Sequence, residues 1–124
     1  MLIRGVSGSG KSTLALRCLD AHFRLVSDDR VVIWVSGGAL YGKAPAPLAG
    51  LIEVRGVGIV AAPSAERLSR VDLVVDLPPS AERLPDPMTV EIAGVVLPYL
   101  SLPLADADLP LRLAAALAAS QRGL

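Results

Sequence analysis

The sequence predicts an α/β domain with a β-rich middle and flanking helices. Three observations predict it. A glycine-rich stretch separates a short apolar run from an amphipathic one, several short β-branched segments follow between glycines and prolines, and an alanine- and leucine-rich stretch comes near the end. Leu2 to Arg4 reads as a short strand leading into the glycines. KSTLALRCLDA, Lys11 to Ala21, places Leu14, Cys18 and Leu19 on one stripe of a helix. RLVS, Arg24 to Ser27, is predicted as a brief strand ending at Asp28-Asp29. Val31 to Val35 is a second strand, closed by Gly37-Gly38 and followed by a hairpin arm near Leu40 and Tyr41.

Pro45 and Pro47 then punctuate a loop, and Arg55-Gly56 divides two apolar runs, Leu51 to Val54 and Val57 to Ala61. VDLVVDL, Val71 to Leu77, is the clearest buried strand, because a strand covered on both faces needs no polar alternation. Pro78 to Pro87 reads as a proline-rich surface segment, Thr89 to Ile92 and Val95 to Leu102 as strands, and Leu109 to Ser120 as the second helix. No internal repeat or composition break divides the chain, so residues 1–124 are expected to form a single domain.

Composition narrows the function classes. Lysine plus arginine equals aspartate plus glutamate, 12 each, and a chain without a basic excess is not expected to bind nucleic acid. The longest apolar stretch, LPLRLAAALAA from Leu109 to Ala119, is too short for a membrane span and contains Arg112. A single cysteine, Cys18, and no signal peptide ahead of the glycines point to a reducing cytoplasm. With aromatic residues at 3%, the core must be aliphatic.

GVSGSGKST, Gly5 to Thr13, fits G-x-x-x-x-G-K-[ST] without a gap, between an apolar strand and an amphipathic helix. Its glycines let successive backbone N–H groups turn inward as an anion nest, and the helix adds its positive end. The stretch Gly5, Val6, Ser7, Gly8, Ser9, Gly10, Lys11, Ser12 and Thr13 is therefore expected to bind nucleotide phosphates. Lys11 would reach the β and γ phosphates, and Ser12 would offer a hydroxyl to Mg²⁺.

Two charged sets lie downstream. Asp28 and Asp29 follow the predicted RLVS strand; beside the loop strand they would face the terminal phosphate, one linked to Mg²⁺ and the other accepting a proton. A solvated turn is the alternative. In LIEVRGVGI, Leu51 to Ile59, Glu53 and Arg55 share one strand face and Ile52 and Val54 the other. They are a surface ion pair, or Glu53 serves metal while Arg55 serves phosphoryl oxygens. Asp76, at the end of VDLVVDL, is a second choice for the magnesium-linked carboxylate.

Taken together, G-x-S-G-x-G-K-S, RLVSDDRV from Arg24 to Val31 and LIEVRGVGIV from Leu51 to Val60 resemble the catalytic domain of HPr kinase/phosphorylase. The chain is most similar to the short, single-domain HPr serine kinases of alphaproteobacteria. The resemblance implies a P-loop kinase core related in fold to phosphoenolpyruvate carboxykinase, lacking the usual N-terminal strand or strands. It implies ATP and Mg²⁺ as cofactors and a serine of HPr, the phosphocarrier of the sugar phosphotransferase system, as acceptor, regulating carbohydrate metabolism. By the same resemblance Asp28 is the general base, Asp29 acts through the metal, Glu53 and Ser12 help hold the metal, and Arg55 steadies the transferred phosphoryl group.

The resemblance further implies a homo-oligomer, with phosphorylase activity a weaker inference. The family's histidine upstream of the loop has no counterpart in Met1 to Arg4. His22 reads as a helix-end residue and Arg112 as a helix-start arginine facing water. Two other function classes share the loop: a small-molecule P-loop kinase, and a nucleotide-sensing regulator that transfers nothing.

Overall fold

The computed structural model describes residues 1–5, 8–77, 88–102 and 108–121. The elements run β1 (Leu2–Arg4), α1 (Lys11–Asp20), β2 (Val32–Ser36), β3 (Ala39–Lys43), β4 (Leu51–Val54), β5 (Gly58–Ala61), β6 (Leu68–Arg70), β7 (Val74–Asp76), β8 (Met88–Ile92), β9 (Val95–Ser101) and α2 (Leu109–Gln121). The α/β class predicted from the sequence is the class observed, and the proline-rich segment Pro78 to Pro87 lies outside the described residues.

Four strands form the central sheet in the order β1-β7-β9-β8, with β1, β7 and β9 parallel and β8 antiparallel at one end. Its alternating side chains go to two cores. Ile3, Val75 and Leu100 face the helices, where they join Leu14 and Cys18 of α1 and Leu109 and Leu113 of α2. Leu2, Val74 and Tyr99 face the other way, toward Leu40 of β3. Because β7 is covered on both faces, its sequence is almost uninterruptedly apolar. The second layer is the three-stranded sheet β2-β3-β6, and β4 and β5 form a separate two-stranded hairpin. Among the described residues no helix is long and apolar enough to cross a membrane.

One sequence expectation needs correction, and one strand was not anticipated. RLVS is not a strand beside the loop strand: Leu25 makes only an isolated bridge to Ala65, and the parallel neighbour of β1 is β7. A four-residue segment does not make a strand unless a sheet edge is presented to it, and here β7 takes that edge. Conversely, Leu68–Arg70 forms β6 on the edge of β3, although LSR carries no β signal and lies on the exposed surface. Its pairing is dictated by the neighbour rather than by its own propensity.

Candidate functional site

The glycine loop enters α1 through Gly10, whose left-handed backbone (φ 98°) suits glycine and turns the chain abruptly into the helix. No side chain caps α1 and no acidic residue occupies its first turn. A helix start without a carboxylate or side-chain cap keeps its positive end, the arrangement that favours an anion. Lys11 Nζ donates to the Gly5 carbonyl at 2.7 Å and so lies back across the loop. A Cβ on Gly5 would meet Ser9 Oγ and crowd the Ser9 Cβ and the Leu77 carbonyl, so a side chain there would force Ser9 to shift. Ser9 Oγ is buried with no hydrogen-bond partner among the described residues, which is costly unless a ligand or water atom meets it. Val6 and Ser7 lie outside the described residues; Gly8 and Thr13 are exposed.

Asp28 is the junction of the site. Its Oδ1 accepts from Ser12 Oγ at 2.7 Å, and its Oδ2 accepts the backbone N–H of Glu53 at 2.9 Å. One half-buried carboxylate therefore ties the start of α1 to β4, between residues far apart in sequence. The segment that carries it is held by Leu25 N–H on the Ser64 carbonyl, Glu66 N–H on the Leu25 carbonyl and the Arg24–Glu66 ion pair. Beyond Asp28 the chain turns sharply: Arg30 N–H returns to the Asp28 carbonyl at 2.8 Å, with Asp29 at φ 67° between them. A non-glycine residue in that region is uncommon, and aspartate is among the few that tolerate it. Asp29 is exposed and, with Lys11 and Asp28, borders a cavity of about 300 Å³ floored by Leu2, Ile3 and Phe23.

The alternation predicted for the Glu53/Arg55 pair holds for Ile52 and Glu53, but β4 ends at Val54 and Arg55 lies in the following turn rather than on the strand face. Ile52 is buried beneath the hairpin, while Glu53 and Arg55 are exposed. Glu53 reaches Asp28 through its backbone, a contribution that no side-chain pattern announces. Asp76, the alternative metal carboxylate, is committed elsewhere. Arg4 grips it with two bonds, Nε to Oδ1 at 2.8 Å and Nη2 to Oδ2 at 3.2 Å, and Tyr99 Oη donates to Oδ2 at 3.0 Å. The register puts Arg4 opposite Asp76, on the face that also carries Tyr99. The bond to Asp76 raises the Arg4 guanidinium pKa, and burial followed by the same carboxylate raises the Tyr99 phenol. This network was not anticipated. Its one sequence signal is a pair of opposite charges closing two otherwise apolar strands.

His22 is exposed just past α1, at φ 70°, as a helix-end residue should be, and Arg112 is exposed on α2. Among the described residues no three His, Cys, Asp or Glu side chains gather as a metal cage. The donors beside the loop are instead hydroxyl and carboxylate oxygens: Ser12, whose lone pairs stay open while its proton goes to Asp28, and the nearby Asp29 and Glu53. Hard oxygen donors in small number fit Mg²⁺, which keeps waters and shares its coordination with substrate phosphates.

This geometry can be set beside known proteins. The family model for the HPr Serine kinase C-terminal domain matches residues 1–121. The chain belongs to that family. It is 36% identical over 116 residues to the HPr kinase/phosphorylase of Brevibacillus brevis, covering 83% of this chain and 37% of that protein. It is 46% identical over 71 residues to the HPr kinase/phosphorylase of Clostridium tetani, covering 57% of this chain and 23% of that one. The chain thus spans well under half the length of these relatives. The solved structure of the Hpr(Ser) kinase/phosphatase from Coxiella burnetii superposes with a TM-score of 0.79 at 28% identity, over 97% of this chain and 85% of that one. The arrangement of helices and strands described above is therefore that of the family, as the resemblance implied.

Proposed function

We propose that this chain is an ATP- and Mg²⁺-dependent serine protein kinase whose acceptor is HPr or an HPr-like phosphocarrier. It would act as a single P-loop catalytic domain, in the cytoplasm and as a homo-oligomer. The observation that carries the reading is the Asp28 junction: one carboxylate bonded at once to the loop serine and to the hairpin bearing Glu53 and Arg55. The family membership and the names of its relatives support the choice of acceptor.

In this reading Gly5 to Thr13 hold the ATP phosphates against the uncapped end of α1, and Lys11 turns from the Gly5 carbonyl toward the outer phosphates. Ser12, with Asp29 and Glu53 directly or through waters, would hold Mg²⁺, which when bound would supply charge neutralisation at the phosphates. Asp28 accepts the proton of the acceptor seryl as its oxygen bonds to the γ-phosphorus and the bond to ADP breaks. General-base help of this kind contributes on the order of a hundredfold or more. Arg55 stabilises charge on the transferred group, and the two bonds to Asp28 fix the base in place, which is most of what phosphoryl transfer asks of a protein.

Incubation with Mg·ATP and purified HPr tests the reading by mass spectrometry. It predicts one phosphate on an HPr serine. Phosphate on a metabolite instead would indicate a small-molecule kinase, and ATP binding without transfer a nucleotide sensor.

A further inference from the structure

Resting on the nucleotide-binding part of that reading, we propose that the Arg4–Asp76 pair positions the phosphate-binding loop, so that two residues outside the loop set its affinity for ATP. β1 and β7 run side by side and end level, with Arg4 opposite Asp76. Their main chains stay joined one step further, where the Leu77 N–H donates to the Arg4 carbonyl at 2.9 Å. The Asp76 carbonyl in turn accepts the Leu102 N–H at 3.2 Å, which ties in the end of β9. Across the same strand ends lie the side-chain bonds: Arg4 Nε and Nη2 on the two Asp76 oxygens, and Tyr99 Oη on Oδ2. The Arg4 and Asp76 side chains are 40% and 29% exposed, so the pair adds little to stability. Two bonds between one guanidinium and one carboxylate nevertheless fix direction as well as distance.

The loop departs from this point. Gly5 follows Arg4 directly, and its carbonyl is the acceptor on which Lys11 Nζ rests at 2.7 Å. Space around Gly5 is tight: a Cβ there would lie 3.3 Å from the Leu77 carbonyl and closer still to Ser9. Any turn of the Arg4 backbone would therefore move Gly5 against its neighbours and carry the acceptor of Lys11 with it. The far end of the loop is held differently, by α1, where Leu14 is fully buried and its N–H returns to the Gly10 carbonyl at 2.9 Å. Loop N–H groups serve phosphate well only from a fixed frame, since a misplacement of about 1 Å is enough to be felt in binding and rate. The helix secures one end of that frame and the ion pair the other. Both side chains share the sheet face that carries Leu2, Val74 and Tyr99, away from α1. They act through the backbone that starts the loop, as positioning residues, rather than by touching phosphate.

Arg4→Met, Asp76→Asn and the double variant are compared with wild type and with Leu97→Ala, which truncates a buried side chain in the same sheet. Mg·ATP affinity by calorimetric titration, KM for ATP and for HPr, and melting temperature are measured, with binding read well below each melting midpoint. Both single variants are expected to weaken ATP affinity by roughly tenfold, the double variant no further, and KM to rise for ATP but not for HPr. Leu97→Ala should melt earlier and bind ATP as wild type does. Charge alone would give opposite signs, because losing the cation weakens binding of an anion and losing the carboxylate strengthens it. Opposite signs, additive losses, an equal loss in Leu97→Ala, or wild-type affinity in both single variants would each overturn the proposal. Arg4→Lys keeps the charge without the two-point grip and replaces Arg4→Met if that variant does not fold, with the same loss expected. The affinity measurements decide the matter even if wild type transfers nothing to HPr, an outcome that fails the acceptor reading alone. A wild type that binds no ATP overturns both.

Discussion

At the level of one residue the nucleotide reading rests on Lys11. Its ammonium donates to the Gly5 carbonyl at 2.7 Å, and in the proposed function it turns from there to the outer phosphates. Lys11→Ala is predicted to weaken ATP binding on the order of a hundredfold, the loss of a charged hydrogen bond to phosphate, read by calorimetric titration. Tyr99 offers a second test. Tyr99→Phe removes one bond to Asp76 and should cost about 1 kcal/mol in chemical denaturation. The sign of its pH dependence follows from the raised phenol: the folded protein holds that proton more tightly than the unfolded chain does. The contribution is complete at neutral pH and fades as pH climbs beyond about 10 toward the higher folded value, a loss that Tyr99→Phe should not show. The glycine loop, Asp28, Glu53 and Arg55 were singled out in the sequence by residue type and spacing, which left a solvated turn and a surface ion pair open; only the resemblance supplied the roles of those three residues. The Arg4–Asp76–Tyr99 network was not legible, because it depends on which strand ends meet.

At the scale of elements, α1 and the β4–β5 hairpin matter most, since Asp28 bridges them. β4 lies against α1, with Ile52 buried at their side of the hairpin. Ile52→Ala is predicted to cost about 2–5 kcal/mol in unfolding free energy and to lower transfer more than ATP binding, by loosening the Glu53 N–H from Asp28. Thermal melts and steady-state rates on one preparation check both. The helices were readable because their apolar period is local, and β7 because burial on both faces leaves a continuous apolar run. RLVS was misjudged and the strand at Leu68–Arg70 went unread for one reason: a strand exists only where an edge receives it, and edges belong to the tertiary arrangement. The tie between Asp28 and β4 was hidden too, because its donor is a main-chain N–H that every non-proline residue carries.

For the whole molecule, the two cores on either side of the central sheet bring the glycine loop, the Asp28 turn and the hairpin to a common region. Adding EDTA is predicted to abolish transfer while leaving the melting temperature of the nucleotide-free protein unchanged, because in the proposed function a divalent cation would serve the phosphates rather than the fold. The central claim is that one carboxylate, wired to loop and hairpin, takes the acceptor's proton. Asp28→Asn tests it most directly, by comparing ATP affinity with the rate of radiolabelled γ-phosphate transfer to HPr. The account predicts near wild-type affinity and a rate lower by roughly a hundredfold or more. A variant that still transfers at the wild-type rate, or that loses ATP binding and transfer together, would contradict it.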